Sequence, residues 1–199
     1  MSGMPVIVGD LPARKRQLGA SRRAAFAALC MIFAATGMLF LALGAAFLGR
    51  RAGSEDWVHT PLPAVVWANT CVLLASSITV ECARRSLRDG HRVAFTRIWI
   101  AGAALGALFL AGQAQAWRDL AAAGLYVASN PSSGFFYILT AVHAAHVLGG
   151  LAALTYVTVQ AYRWRLGPAK RTAADISAWF WHYLGALWLG LLVLLVGWA

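Results

Sequence analysis

Five long apolar runs, parted by short polar stretches, set the pattern of this chain. They cover about 24–49, 62–82, 98–117, 135–161 and 177–198. A helix needs about 20 apolar residues to cross the hydrocarbon of a bilayer, so each run is long enough to span one. The first run is uncharged throughout and too long for the apolar core of a signal peptide. Leu29 also stands where a lipoprotein signal needs a small residue before Cys30. The run therefore reads as an uncleaved first span. The charge-free stretch 120–162 has the length of two spans, but Asn130-Pro131-Ser132-Ser133-Gly134 inside it is turn chemistry. Residues 120–129 are too few to cross and are expected to lie along the interface. The pattern predicts an all-α integral membrane protein, with a tail over 1–23 and one five-helix bundle over 24–199.

Composition agrees. The 199 residues are 60% hydrophobic and 12% charged, with a mean hydropathy of +0.65. A soluble domain of this size would need more polar surface. The net charge of +10 raises nucleic acid as a partner, but the basic residues sit in clusters between apolar runs, which marks topology instead. The tail, the segment 84–97 and the segment 163–171 carry five, five and four of them. The opposite side has only Arg50, Arg51 and Arg118. The positive-inside rule then puts the N-terminus in the cytoplasm and the C-terminus outside. Trp57, Trp67, Trp117, Trp164, Trp179, Trp181 and Trp198 fall mostly near the expected interfaces, as an aromatic belt would. Cys30, Cys71 and Cys82 form no CxxC pair and read as small packing residues.

Polar groups inside the spans are the functional candidates. Glu81 precedes Arg84 and Arg85 by three and four residues, the spacing of a surface ion pair. Asp175 opens the fifth run, where a carboxylate suits a helix N-terminus. Asn69, Thr70, Ser76, Ser77 and Thr79 suit bonds between helices. Gln113 and Gln115 reach toward the interface. Gly102 and Gly106 make a small face that permits close helix approach. No nucleophile–base pair, internal repeat or inverted symmetry is visible.

His143 and His146 are the unusual pair. Their spacing puts both on one face of the fourth helix. A third metal ligand would have to be His182, because His59 and His91 lie in loops. Yet His146 falls near mid-bilayer and His182 about two turns from the cytoplasmic face. At about 1.5 Å per residue the levels differ by roughly 10 Å, whereas a metal sits about 2 Å from each nitrogen. A metal or haem held by this chain alone is not expected. Hydrogen bonding between helices or contact with a partner subunit is the expected role of the pair. His182, with Arg163, Arg165 or Arg171, is placed to meet a lipid phosphate.

These residues resemble a known family, subunit III of the haem–copper respiratory oxidases (cytochrome c oxidase), in its short bacterial five-helix form. His143, His146, Val147, Gly149 and Gly150 match its fourth-helix signature. Phe180, Trp181, His182, Tyr183 and Trp188 match the last-helix one, with Asp175 where the family usually has Glu. Asn69, Thr70, Leu73, Ser76 and Ser77 follow the second-helix pattern, and Phe109, Gln113 and Trp117 the third. The departures are specific. Ala35 and Thr36, aligned on Met38, Leu39 and Phe40, stand where the family has Ser-Glu. Ala116 replaces the third-helix Glu, and the Asp that often follows the last-helix His is Gly185 or absent.

The resemblance implies a non-redox structural subunit of a proton-pumping terminal oxidase in the bacterial cytoplasmic membrane. Such a subunit packs on subunit I, neighbours subunit II or a small subunit IV, and encloses phospholipid. No cofactor is bound by the chain itself; haem and copper lie in the partners, and cytochrome c or a quinol is the donor. Longer members have two further helices, whose place a neighbouring subunit is expected to fill. His143, His146, Trp181, His182, Asp175, Arg171 and Asn69 are the implied lipid or subunit contacts. A proton-collecting role built on the missing carboxylate is not implied. Subunit III of a quinol oxidase, an accessory subunit of nitric oxide reductase and, more distantly, a small transporter are the competing readings.

Overall fold

A computed structural model describes residues 10–53, 57, 62–163 and 168–198, with side chains described over 16–53, 57, 62–163 and 171–197. His59, Trp164 and Arg165 lie outside these residues, as does the side chain of Trp198. Five helices make up the described chain: α1 (Asp10–Ala52), α2 (Val65–Arg88), α3 (Arg92–Ala122), α4 (Pro131–Tyr162) and α5 (Pro168–Trp198). Each contains a segment long and apolar enough to cross a membrane.

Each helix outruns its apolar core. Hydropathy marks only the part that sits in hydrocarbon, whereas the backbone stays helical wherever residues favour it. The stretch 10–23 continues α1, so the separate tail expected over 1–23 is helical from Asp10 onward. The rise per residue gives the 43-residue helix a length of about 65 Å, roughly twice the hydrocarbon thickness. α5 likewise starts at Pro168, which leaves Asp175 two turns inside the helix and not at its N-terminus.

The turns follow their local chemistry. Gly90, at φ 86°, reverses the chain between α2 and α3, a left-handed conformation that glycine adopts without strain. Gly124, at φ 78°, ends α3, where the Leu125 N–H donates to the Leu120 carbonyl at 3.0 Å. The Asn130 side chain accepts from the Ser133 N–H at 2.8 Å and caps α4, with Pro131 in its first turn. The segment between α3 and α4 folds back on the bundle. Ser133 donates to the Tyr126 carbonyl at 2.8 Å, and the Tyr137 hydroxyl bridges the Trp117 and Leu125 carbonyls at 3.1 and 3.0 Å. Residues 120–122 thus belong to α3, and 123–130 form its turn into α4.

Helices α2, α3, α4 and α5 close a ring, each packed on two others, while α1 lies outside it against α4 and α5. One core cluster fills the ring, with Trp99, Phe109, Trp181 and Trp188 at its centre. A second joins α1 to the other end through Phe40, Phe47, Phe136, Leu139 and Leu191. Glycines set how closely the ring closes. A Cβ at Gly102 would lie 2.7 Å from Val80, and one at Gly106 would lie 2.6 Å from Trp181. The two small positions of α3 thus serve different neighbours, α2 and α5. Gly149 meets nothing within 4 Å. Cys30, Cys71 and Cys82 are exposed on the outside of the bundle, so they are not the packing residues the sequence suggested.

Gly106→Leu is expected to cost about 1–3 kcal/mol through overpacking, and Gly149→Ala to change stability by less than about 0.5 kcal/mol. Thermal unfolding in mild detergent checks both. Equal effects would show that the ring is not tight at Gly106.

Candidate functional site

The residues singled out in the sequence come together as three layers across the ring, one at each successive level of α5. The first centres on Trp181. Its indole N–H donates to Ser76 Oγ at 3.1 Å, and Ser76 donates to the Gly102 carbonyl at 2.7 Å. Its ring lies in the space left by Gly106 of α3 and Gly150 of α4, where a Cβ would stand 2.6 and 3.0 Å from it. Four helices therefore meet on one side chain. Trp181 is fully buried, which removes it from the aromatic belt and from direct contact with lipid.

Two turns on, Trp188 repeats the arrangement. Its N–H donates to Thr70 Oγ1 at 2.9 Å, and its ring centroid is 5.1 Å from Phe109 and 5.2 Å from His143. Asn69 donates to the Phe109 carbonyl at 2.9 Å, and Gly112 gives it room, because a Cβ there would collide with its side-chain amide. Buried indole N–H groups need a partner, and the small polar residues of α2 supply them.

His143 is enclosed among the rings of Phe40, Phe109 and Trp188, and neither ring nitrogen has a hydrogen-bond partner among the described residues. His146 bonds through Nδ1 to the Val142 carbonyl of its own helix at 2.8 Å and lies 5.6 Å from the Phe40 ring. The hydrogen bonds between helices expected of this pair are not formed here. Both pack by their rings, against α1 from His146 and against α1, α3 and α5 from His143. Gln113 is likewise interior, with its amide unpartnered among the described residues, and does not reach the interface; Gln115 bonds Asp119 at the surface at 2.8 Å. Thr36 is buried.

The third layer is ionic and lies at the end of the bundle where α2 finishes and α5 begins. Arg84 donates to both carboxylate oxygens of Glu81, at 2.7 and 3.0 Å, and to Asp175 at 3.4 Å. Arg85 reaches Glu81 at 3.0 Å, so the spacing identified the pair correctly. Asp175 was missed as its partner because helix-end logic, and not a neighbouring helix, explained it. His182 shares a 2.5 Å hydrogen bond with Ser77 Oγ through Nδ1, and its Nε2 lies 3.6 Å from Glu81. Its ring is thus engaged with α2. Arg171 is exposed beside this layer.

Of the seven singled-out residues, His143, Trp181 and Asn69 are enclosed by this chain's own helices, His146, His182 and Asp175 are half-buried, and Arg171 is open. No three His, Cys, Asp or Glu among the described residues stand together as a metal site. The arrangement can clamp helices and present charge at one end.

Trp188→Phe and Thr70→Val are each expected to destabilise, with a coupling of about 0.6–1.7 kcal/mol in the double variant. His143→Leu is expected to be close to neutral, because an unpartnered imidazole is exchanged for apolar volume. Thermal unfolding of the four proteins decides; a large loss from His143→Leu would mean that the imidazole has a bond partner.

Comparison with known proteins fits this geometry. A family model described as cytochrome c oxidase subunit III matches residues 53–199, which include all three layers. The chain is 32% identical over 122 residues to the probable cytochrome c oxidase subunit 3 of Nocardia farcinica, a match covering 61% of this chain and 60% of that protein. It is 32% identical over 124 residues to the cytochrome c oxidase subunit 3 of Corynebacterium diphtheriae, covering 62% and 60%. The protein of that name from Lumbricus terrestris is 31% identical over 131 residues, covering 66% and 49%. The chain thus spans about half to three fifths of the length of these relatives. Five apolar helices in a ring-and-outlier bundle, with the signature residues at its joints, make this a multi-pass membrane protein. The chain belongs to the cytochrome c oxidase subunit III family.

Proposed function

We propose that this chain is the non-redox subunit III of a haem–copper terminal oxidase in a bacterial cytoplasmic membrane, with its N-terminus in the cytoplasm. The observation that carries the reading is where the signature residues sit. Trp181, Trp188, His143, Ser76 and Thr70 join helices to one another in the interior. Such an interior fixes a shape and leaves the outer faces for neighbours. α1 offers one such face, with Met31, Met38 and Leu41 all exposed. In a membrane that face is covered by lipid or by a large helical partner, the catalytic subunit I in this reading.

Redox chemistry belongs to the partners in this reading. Electrons from cytochrome c, or a quinol in a related branch, reduce oxygen to water on haem and copper that those subunits hold. Subunit III contributes a stable wall and bound phospholipid. The basic ends of α2, α3 and α5 face the cytoplasm, as the distribution of Lys and Arg favours.

Purification of the tagged chain in native-lipid particles tests the proposal. A reduced-minus-oxidised spectrum with an a-type haem signal and a large multi-helix partner is expected, and the donor-binding subunit recovered with it names the branch. A colourless chain without partners would contradict the reading.

A further inference from the structure

α3 begins at Arg92 and α4 ends at Tyr162, and beside these two ends a groove of about 230 Å³ opens on the outside of the ring. Val93, Ile100 and Ala161 line it with apolar surface, and Arg92, Arg97 and Tyr162 with polar groups. Thr96 also lines it, but its hydroxyl is taken by the Arg92 carbonyl at 3.0 Å. Arg92 and Arg97 are exposed, and among the described residues no carboxylate forms an ion pair with either. Glu81 and Asp175, the carboxylates of the ionic layer, are held by Arg84. Beyond the groove the outward positions of both helices are small. Ala104, Ala107 and Ala111 on α3 and Ala141, Ala145 and Ala152 on α4 are all exposed. α1, by contrast, turns Met31, Met38 and Leu41 outward and makes no contact with α3.

Fluid lipid chains cover a smooth face and a rough one equally well. A helix does not: a face of alanines lets its backbone come close, and close packing is what holds helices together in hydrocarbon. Two guanidinium groups on one small groove repel each other and any added cation. The group that suits them is a carboxylate, which accepts their paired N–H donors. The groove has room for one or two side chains, less than a phosphate with its glycerol and ester groups would fill. A carboxylate on a short apolar stem matches both its volume and its lining. From Arg97 to Ala111 the face runs about 21 Å along α3, roughly two thirds of the hydrocarbon thickness, which is enough for a spanning helix to lie on.

We propose that the outer face of α3 and α4 docks a transmembrane helix of a second membrane partner, one that carries an aspartate or glutamate at its cytoplasmic end. Arg97, with Arg92 beside it, receives that carboxylate in the groove, and the alanines let the rest of the helix lie close against the ring. The inference rests on the multi-subunit reading above and adds to it a surface separate from the α1 face.

Photocrosslinking of the whole chain in its native membrane is the test, with p-benzoylphenylalanine in place of Leu108, which is exposed next to Ala107. The expected adduct is with a transmembrane segment of another protein that has Asp or Glu within a turn of its cytoplasmic end. Arg97→Gln should lower the yield about three- to fivefold, the worth of one partly exposed ion pair. Asn or Gln in place of the partner's carboxylate should do the same, and the two changes together should lower the yield no further. Ala104→Leu, which holds the helix off, should lower it at least threefold, and Arg118→Gln, at the other end of the bundle, should leave it unchanged. Thermal unfolding checks that each variant keeps the bundle, and if Ala104→Leu does not, Ala104→Val takes its place. An adduct with phospholipid, with a second copy of this chain or with a segment lacking the carboxylate would overturn the proposal, as would a yield that Arg97→Gln leaves unchanged. A photocrosslinker in place of Met38 on α1 reports the haem-containing partner separately. Its adduct should not respond to Arg97→Gln, and the absence of a haem-containing protein there would count against the subunit III reading alone.

Discussion

The indole of Trp181 is the contact on which the rest of the bundle depends. It needs an acceptor for its N–H in a place without water, and Ser76 of α2 provides one. It needs room for two fused rings, and Gly106 and Gly150 provide that from α3 and α4. Apolar burial drives little in hydrocarbon, so close packing and hydrogen bonds between helices determine which helix meets which. A side chain that satisfies both demands on three neighbours at once fixes the ring α2–α5. Trp188 repeats the solution with Thr70 and His143 at the next level, and the ionic layer of Glu81, Arg84, Asp175 and His182 closes the end.

The spans were legible from hydropathy because the hydrocarbon admits little else, and the break at Asn130 from its capping chemistry. The helix ends were not legible. Asp10–Arg23 carries charge that hydropathy reads as outside the membrane, yet its Ala, Leu, Arg and Gln residues keep the backbone helical. Trp181 was the instructive miss. Sequence position alone placed it with the interfacial tryptophans, and only the glycines of two other helices show why it is inside. Asp175 and Gln113 were misplaced for the same reason, since a partner or an enclosure on another helix leaves no mark at i±3 or i±4. Glu81 with Arg84 and Arg85 was readable because that pairing lies within one helix.

The family resemblance was carried by short motifs, and the fold gives most of them physical meaning. Asn69, Thr70 and Ser76 of α2 are the acceptors and donors that the tryptophans of α5 and the carbonyls of α3 require, and Ser77 bonds His182. Gly150 is the gap beside Trp181. Nothing in the structure explains Gly149. Thr36 lies on α1, outside the ring, and none of the three layers uses that position.

The most direct test of this account is amide hydrogen exchange across the whole chain in mild detergent, comparing the unaltered protein with Trp181→Ala. If Trp181 is the common joint, protection should fall together in α2, α3, α4 and α5 around its level, while the outer end of α1 changes little. Loosening confined to α5 would contradict the account and leave the ring held by pairwise contacts alone.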